Sequence, residues 1–499
     1  MAGCVLERHL PDEQATNRLG EDIAVVLKAG DVVALRGDLG AGKTTLARAI
    51  IRSLADDPAL EVPSPTFTLV QAYETRIQVH HFDLYRLGSP EELEELGLDE
   101  AAASGVGLIE WPERAEGRIT GAINVALREQ GDGRVAEVSG PDAPMKRLAQ
   151  SFAIREFLGS AGRPDARRAF LLGDASIRAY ETITDGGEKL ILMNAPERRD
   201  EPVVRDGLPY SHIARLAQSV SAFVAVDLAL REAGLAAPEI LAQDLARGLL
   251  LIEHLGSGSF LGQDGIPVVE RYCAAAELLA FIHQKPWNRE MPVTGGITHH
   301  LPPYDRQAFG IETELMLDWY VPFAVGRPAS AAERGEFLAC WSTLFDRLEK
   351  AEQSIVLRDF HSPNIIWRDD RKGFDRLGII DFQDAVFGPA AYDVASLALD
   401  ARVTIPPDLE RVILDTYCAA RGAGFNREAF EETYAIATAQ RNSKLLGTFV
   451  RLDRRDGKPA YLKHLPRIRN YLRRSLHHPA LTGLGAFYQR AGFLPEGEE

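Results

Sequence analysis

Gly37-Asp38-Leu39-Gly40-Ala41-Gly42-Lys43-Thr44 fits the pattern GxxxxGK[ST], with a β-branched run before it (residues 31–36) and apolar residues at helical spacing after it (residues 45–54). A strand, this loop and a helix in that order are the context a phosphate-binding P-loop requires. Gly37, Gly40 and Gly42, with Ala41 between them, let backbone N–H groups converge on phosphate oxygens. The helix that opens at Lys43, Thr44 and Thr45 adds its dipole to the same point. Lys43 is expected to reach the β- and γ-phosphates of ATP, and the Thr44 hydroxyl to bind Mg²⁺.

Working outward, residues 12–28 repeat apolar side chains at helical spacing, and strand-like runs recur at 77–82, 106–109, 123–127 and 135–138. Strands interleaved with helices predict an α/β domain with a mainly parallel sheet covered on its faces. A P-loop needs a carboxylate for metal and water from the C-terminal ends of neighbouring strands. Asp83 and Glu110 each follow such a run. Either alone reads equally well as a strand-end cap; two on the same edge of one sheet favour the chemical role.

Four motifs in order, GDLGAGKTT (37–45), SPTF (64–67), HFDLYRL (81–87) and EWPER (110–114), resemble the bacterial ATPase subunit of the tRNA threonylcarbamoyladenosine machinery, the TsaE type. The resemblance covers nearly all of residues 1–140. It implies ATP turnover in support of modification of adenosine 37 in tRNA. The partners it implies are the threonylcarbamoyl-transferase subunit and its companion subunit, with tRNA engaged indirectly. It also implies Thr44 and Glu110 as Mg²⁺ ligands, and Asp83 near the γ-phosphate and the attacking water. Ser64 and Thr66 would lie in a nucleotide-sensing loop, and Trp111 at the edge of the site.

The 499 residues are too many for one core; roughly 150 residues per domain suggests about three folding units. The net charge of −16 argues against indiscriminate nucleic-acid binding. The stretch 441–474 nevertheless holds eleven Lys or Arg against two Asp. Solvated helix faces or a phosphate-rich partner would both account for it. Cys4, Cys273, Cys340 and Cys418 form no CxxC pair, and no signal peptide or apolar span is apparent, so a cytoplasmic protein with no membrane role is expected. Ser139-Gly140-Pro141-Asp142-Ala143-Pro144 reads as a linker. The expected division is a P-loop ATPase over 1–140, linker and helix over 141–165, a β-rich kinase-like N-lobe over 166–258 and a helical C-lobe over 259–490.

In the second half, Arg358-Asp359-Phe360-His361-Ser362-Pro363-Asn364 places Asn five residues after Asp, and Asp381 follows Asn364 by seventeen. Phosphoryl transfer needs a base for the acceptor hydroxyl and two oxygen ligands for Mg²⁺. Asp359 fits the base, and Asn364 and Asp381 the ligands. Apolar runs beside both motifs place them at strand ends. No GxGxxG loop is present; GDASIRAY (173–180) takes its place. The third strand, 190–193, carries no lysine for the phosphates, and Lys189 reads as a charge at the start of that strand.

GDASIRAY, LILMNAP (190–196), LLLIEHLG (249–256), LPPYDRQ (301–307), RDFHSPN (358–364), IIDFQDAVFGPAAYD (379–393) and LDRRDGKPAYL (452–462) resemble sugar kinases of the aminoglycoside-phosphotransferase superfamily. The nearest type is the anomeric kinase of N-acetylmuramate and N-acetylglucosamine used in cell-wall recycling, the AmgK type, over residues 166–480. The resemblance implies ATP-dependent phosphorylation of the anomeric hydroxyl with Asp359 as base. It also implies a hinge, Ile252-Glu253-His254-Leu255, that receives adenine, and Asp393 as a brace of the catalytic loop. Glu312, Glu314, Asp318, Trp319 and Tyr320 read equally as acceptor contacts or as the polar face of a helix. Two alternatives stay open: another acceptor such as an aminoglycoside, or a silent module that binds RNA or protein partners.

Overall fold

The computed structural model describes residues 5–88, 92, 96–115, 117–171, 178–197 and 201–495. Residues 173–177 of the expected phosphate-covering turn therefore lie outside the described residues. The chain divides into two compact units. One is Met1–Asn194 with Leu241–Asp244 and Leu249–Ile252; the other is Ala195–Ile240, Leu245–Gly248 and Glu253–Glu499.

The first unit opens with a seven-stranded sheet: β1 (Leu6–Leu10), β2 (Val32–Arg36), β3 (Val70–Tyr73), β4 (Val79–Asp83), β5 (Val106–Glu110), β6 (Ile123–Gln130) and β7 (Gly133–Ser139), in the order β1-β7-β6-β2-β5-β4-β3. The centre is parallel, β6 with β2, β2 with β5 and β5 with β4. The margins are antiparallel, at β1–β7, β6–β7 and β3–β4. The sheet is therefore mixed, and the expected mainly parallel arrangement holds only at its centre. A hairpin as tight as the one joining β6 to β7 can only pair antiparallel strands. Helix α1 (Glu13–Ala24) starts at an Asp12 cap whose side chain accepts from the Ala15 backbone N–H. It packs along α2 (Lys43–Ala55), and a Cβ at Gly20 would lie 2.4 Å from the Ala49 Cβ.

The string at 139–144 is only half a linker, because a helix starts at Asp142 and runs to Ser160. Its Met145, Leu148 and Phe152 belong to the core beneath the seven-stranded sheet. Its Ile154, Phe157 and Leu158 belong to a second core with Ile183, Leu190, Leu192, Leu249 and Leu251. At about 100° per residue these two apolar sets face directions roughly 150° apart. One helix thus serves two cores. The second core covers a five-stranded sheet made of β8 (Arg167–Leu171), β9 (Ala179–Asp185), β10 (Glu188–Asn194), Leu249–Glu253 and Ile240–Asp244. The β8–β9–β10 meander is antiparallel.

Between the cores lies a buried ionic cluster. Arg168 of β8 is fully enclosed. It donates to Asp22 Oδ1 on α1 at 2.7 Å, to Glu181 Oε2 on β9 at 2.7 Å and to the Ser151 carbonyl at 2.9 Å. Arg155 reaches the same Asp22 at 3.0 Å. Each buried charge has an opposite partner, as burial demands.

The second unit is mainly helical. A long helix, Arg427–Arg454, runs through it, and its middle residues are buried (Ala435–Ser443). Among the described residues, no helix is long and apolar enough to cross a membrane.

Candidate functional sites

The P-loop lies between β2 and α2. Gly37 has φ +140°, and a Cβ there would stand 2.6 Å from the Leu127 carbonyl oxygen, so only glycine fits. Lys43 Nζ donates to the Gly37 carbonyl at 2.7 Å and the Asp38 carbonyl at 2.9 Å, and lies 3.5 Å from the centroid of the Trp111 ring. Burial pulls this ammonium below the ordinary lysine value, against the opposing pull of Glu110, Glu113 and Asp83.

Parallel pairing of β2, β5 and β4 brings the carboxylates to the loop. Thr44 Oγ1 donates to Glu110 Oε2 at 2.7 Å, while Glu110 Oε1 lies 2.9 Å from His81 Nε2, both side chains buried. Asp83 Oδ2 accepts from Ser64 Oγ and Thr66 Oγ1, each at 2.7 Å, and Oδ1 accepts from the Tyr85 N–H at 3.0 Å. The structure therefore gathers Lys43, Thr44, Asp83, Glu110, Ser64, Thr66 and Trp111 around one loop. His81 was missed, although it lies two residues before Asp83 on the same strand face, a period that marks it as a neighbour. Arg134 was missed as well. It donates to the Gly40 carbonyl at 3.1 Å, and no sequence signal ties it to the loop.

In the second unit, the strand Gln353–Val356 delivers the loop that holds Asp359. Both Asp393 oxygens accept backbone N–H groups, from Leu357 at 2.6 Å and Arg358 at 2.8 Å. That bond pair is the brace expected of Asp393. Arg358 and Asp381 are held at φ +68° and φ +60°, a left-handed conformation that non-glycine residues rarely adopt and that concentrates at functional sites. Asn364 Nδ2 donates to the Asp359 carbonyl at 2.9 Å and to Asp381 Oδ2 at 3.3 Å. Gln383 Nε2 donates to Asp381 Oδ1 at 2.7 Å. Asp359 is half-buried.

Behind this loop Glu312 is fully buried. Arg358 donates to it, Lys444 Nζ lies 2.8 Å from it, and Tyr304 and Gln440 donate to it at 2.5 and 3.0 Å. Burial alone would raise the Glu312 carboxyl, yet Lys444 and Arg358 outweigh it and hold the group below its ordinary value. Glu314 is bound by Arg205 and Arg334, and Asp318 by Arg334. Glu312 and Glu314 brace the unit from inside, whereas Asp318 is exposed. Burial likewise pushes the His361 imidazole below its ordinary value, beside Asp400.

Of the hinge residues, Ile252 and Leu255 are buried, and the Glu253 N–H donates to the Glu239 carbonyl at 2.8 Å. The His254 Nδ1 accepts the Gly256 N–H at 3.1 Å. Lys189 is exposed at the start of β10. Among the described residues no group of three or more His, Cys, Asp or Glu side chains could hold a metal unaided. The Thr44–Glu110 and Asn364–Asp381 pairs are hard oxygen donors, which suits Mg²⁺ shared between protein and nucleotide phosphates.

The family described as "Threonylcarbamoyl adenosine biosynthesis protein TsaE" matches residues 10–136, and the "Phosphotransferase enzyme family" matches residues 168–432. An N-acetylmuramate/N-acetylglucosamine kinase of Caulobacter vibrioides is 37% identical over 347 residues, 67% of this chain and 94% of the relative. A tRNA threonylcarbamoyladenosine biosynthesis protein TsaE of Rickettsia felis is 47% identical over 105 residues, 21% of this chain and 61% of its own length. The corresponding protein of Rickettsia bellii is 45% identical over 105 residues and is covered to 72% of its length. The chain thus belongs to two families at once, the TsaE family through its first part and the phosphotransferase enzyme family through its second.

Proposed function

We propose that the chain is a bifunctional ATP-using enzyme. Its first part hydrolyses ATP in support of threonylcarbamoylation of adenosine 37 in tRNA. Its second part phosphorylates the anomeric hydroxyl of N-acetylmuramate or N-acetylglucosamine. The observation that carries the phosphotransfer chemistry is the Asn364 amide, which links the Asp359 carbonyl to the Asp381 carboxylate, and the likeness to the Caulobacter kinase supports the sugar. That linkage sets a base beside a pair of metal-ligand groups.

In the phosphotransferase, Asp359 accepts the proton of the anomeric hydroxyl as that oxygen bonds to the γ-phosphorus and the bond to the bridging oxygen of ADP breaks. Asn364 and Asp381 would hold Mg²⁺, which would neutralise charge on the phosphates. Asp393 and Gln383 keep the base and the ligand in place. In the ATPase, Lys43 and the loop N–H groups bind phosphate, Thr44 and Glu110 would hold Mg²⁺, and Asp83, fixed by Ser64 and Thr66, orients the water. The threonylcarbamoyl-transferase subunit and its companion are the partners this reading requires. The three described cysteines, Cys273, Cys340 and Cys418, are free thiols, in keeping with a cytoplasmic setting.

An RNA-binding role for the basic stretch finds little support. Arg441 is buried and donates to the Leu399 carbonyl, Lys444 pairs with Glu312, and Arg467 donates to the Ala401 carbonyl and Thr404. Much of its charge is already engaged within the fold.

The test is sugar-dependent ATP consumption, with the product identified by phosphorus NMR, in wild type, Lys43→Ala and Asp359→Asn. An anomeric sugar phosphate that survives Lys43→Ala and vanishes with Asp359→Asn is expected. Sugar phosphorylation that persists in Asp359→Asn would overturn the assignment of the base, and none in wild type would overturn the sugar assignment.

A further inference from the structure

The first unit holds the P-loop segment and the five-stranded sheet together. Strand β8 lies at the edge of that sheet, and among the described residues its backbone pairs with β9 alone. Free strand edges are normally protected. Here side chains of the P-loop segment line up along β8 and the residues just before it. Arg18 of α1 donates to Asp165 Oδ1 at 2.6 Å, and Asp56, just past α2, accepts from Arg167 Nη2 at 2.5 Å. Asp22 of α1 accepts from Arg168, and the Arg76 guanidinium lies 4.2 Å from the centroid of the Phe170 ring.

Arg76, in the turn between β3 and β4, gathers these contacts. Its backbone N–H donates to the Leu54 carbonyl at 3.2 Å, in the last turn of α2. Its Nη2 donates to the Ala24 carbonyl at 2.9 Å, at the end of α1. Burial pulls the guanidinium below its ordinary value, and among the described residues no carboxylate offsets that. Helix C-terminal carbonyls and the Phe170 ring carry its charge instead. One residue therefore touches α1, α2 and β8 together.

The far ends of the same elements hold the ATPase groups. Helix α2 begins at Lys43, whose Nζ bonds the Gly37 and Asp38 carbonyls. Strand β4 ends at Asp83, and β3 follows the loop of Ser64 and Thr66, which bind that carboxylate. On the other side, the sheet that β8 borders includes the strand Leu249–Glu253, where the hinge residues Ile252 and Glu253 lie. Arg76 and the two helices belong to the TsaE match and β8 to the phosphotransferase match, so neither family alone contains this seam.

We propose that the seam couples the two uses of ATP: nucleotide at the P-loop shifts α2 and the β3–β4 turn against β8 and so changes the affinity of the phosphotransferase for ATP. Phosphate oxygens compete with the Gly37 and Asp38 carbonyls for Lys43 Nζ, which gives nucleotide its leverage on α2. By linkage, ATP held by the phosphotransferase changes the affinity of the P-loop by the same factor. The coupling acts on binding, so sugar phosphorylation at saturating ATP keeps its rate. The inference rests on the phosphotransferase reading above.

The test measures the phosphotransferase KM for ATP, with N-acetylglucosamine as acceptor, in the full chain with and without Lys43→Ala. The same pair is made in a Phe170→Leu background and in an Arg76→Met background. Lys43→Ala should change that KM about 5-fold, with kcat unchanged. In either seam background the change should vanish. Phe170→Leu keeps an apolar side chain and serves where Arg76→Met does not fold. Hydrogen exchange gives a readout apart from turnover: the effect of ADP on exchange over residues 165–171 should be larger in wild type than in Lys43→Ala. An active wild type whose KM and exchange match those of Lys43→Ala would overturn the coupling alone. A KM change that persists with Phe170→Leu would overturn the seam as its route. If wild type phosphorylates no sugar, the phosphotransferase reading falls and the coupling with it.

Discussion

Asp83 and Glu110 stand directly opposite each other in the parallel register of β4 and β5. Both cap the C-terminal edge of the sheet, yet they are held differently. Asp83 accepts three hydrogen bonds from its own side of the site, while Glu110 bridges Thr44 and His81. One is locked by hydroxyls from the 64–66 loop, the other by the helix that carries the P-loop. If Glu110 holds Mg²⁺ as proposed, Glu110→Ala is expected to cut P-loop ATP turnover on the order of 10²-fold. Sugar phosphorylation should be unaffected. Separate assays of the two activities on one preparation would check this.

His81 fixes one Glu110 oxygen, and its loss should be milder. His81→Phe is expected to lower ATP turnover about 10-fold by loosening the carboxylate, as removal of a supporting partner does. His81→Gln, which can still donate, should recover part of the loss. The order of turnover in the two variants checks the prediction.

Asp393→Ala should strike stability and phosphotransfer together. Its two oxygens pair the N–H groups of Leu357 and Arg358, so removing them orphans two buried donors. The expected cost is about 2–5 kcal/mol, read by urea unfolding.

Arg168→Met should destabilise the first unit by about 3–5 kcal/mol, because Glu181 is left buried without its cation while Asp22 keeps only Arg155. ATPase activity should fail at a lower temperature than in wild type. A thermal-inactivation series on the two proteins measures the shift.

Asp227, on the helix Ser221–Glu232, has two buried carboxyl oxygens that make no hydrogen bond. Burial raises its pKa from 3.8 to about 7. The folded chain therefore holds this proton more tightly than the unfolded chain. Its stabilising share is complete below pH 3.8, is lost as pH rises toward 7, and stays lost above that. Asp227→Asn should raise the unfolding free energy by about 1–3 kcal/mol more at pH 8 than at pH 5. Urea melts of both proteins at the two pH values check it.

The motifs were legible because phosphate chemistry forces residue types into fixed short spacing. The P-loop, Asp83, Glu110 and the Asp359–Asn364–Asp381 set were readable for that reason. The edge strands β1 and β3 were not: each is four or five residues with a half-exposed pattern, and only pairing across the sheet reveals them. Glu312 could not be separated from a solvent-facing acid, because the Lys444 that neutralises it is 132 positions away in the chain. Gln383 sat inside a recognised motif, but the bond by which it holds Asp381 shows only in the fold. The helix Asp142–Ser160 was expected within 141–165, but that its two apolar faces serve two cores shows only in the fold.

That helix also decides how the fusion can be taken apart. With Met145 in one core and Ile154 in the other, a cut anywhere from 140 to 165 strips one sheet of its cover and leaves an oily face in water. A stop codon or an internal deletion would then cripple the segment it was meant to spare. The two chemistries are consequently synthesised, dosed and cleared at a fixed ratio of one to one.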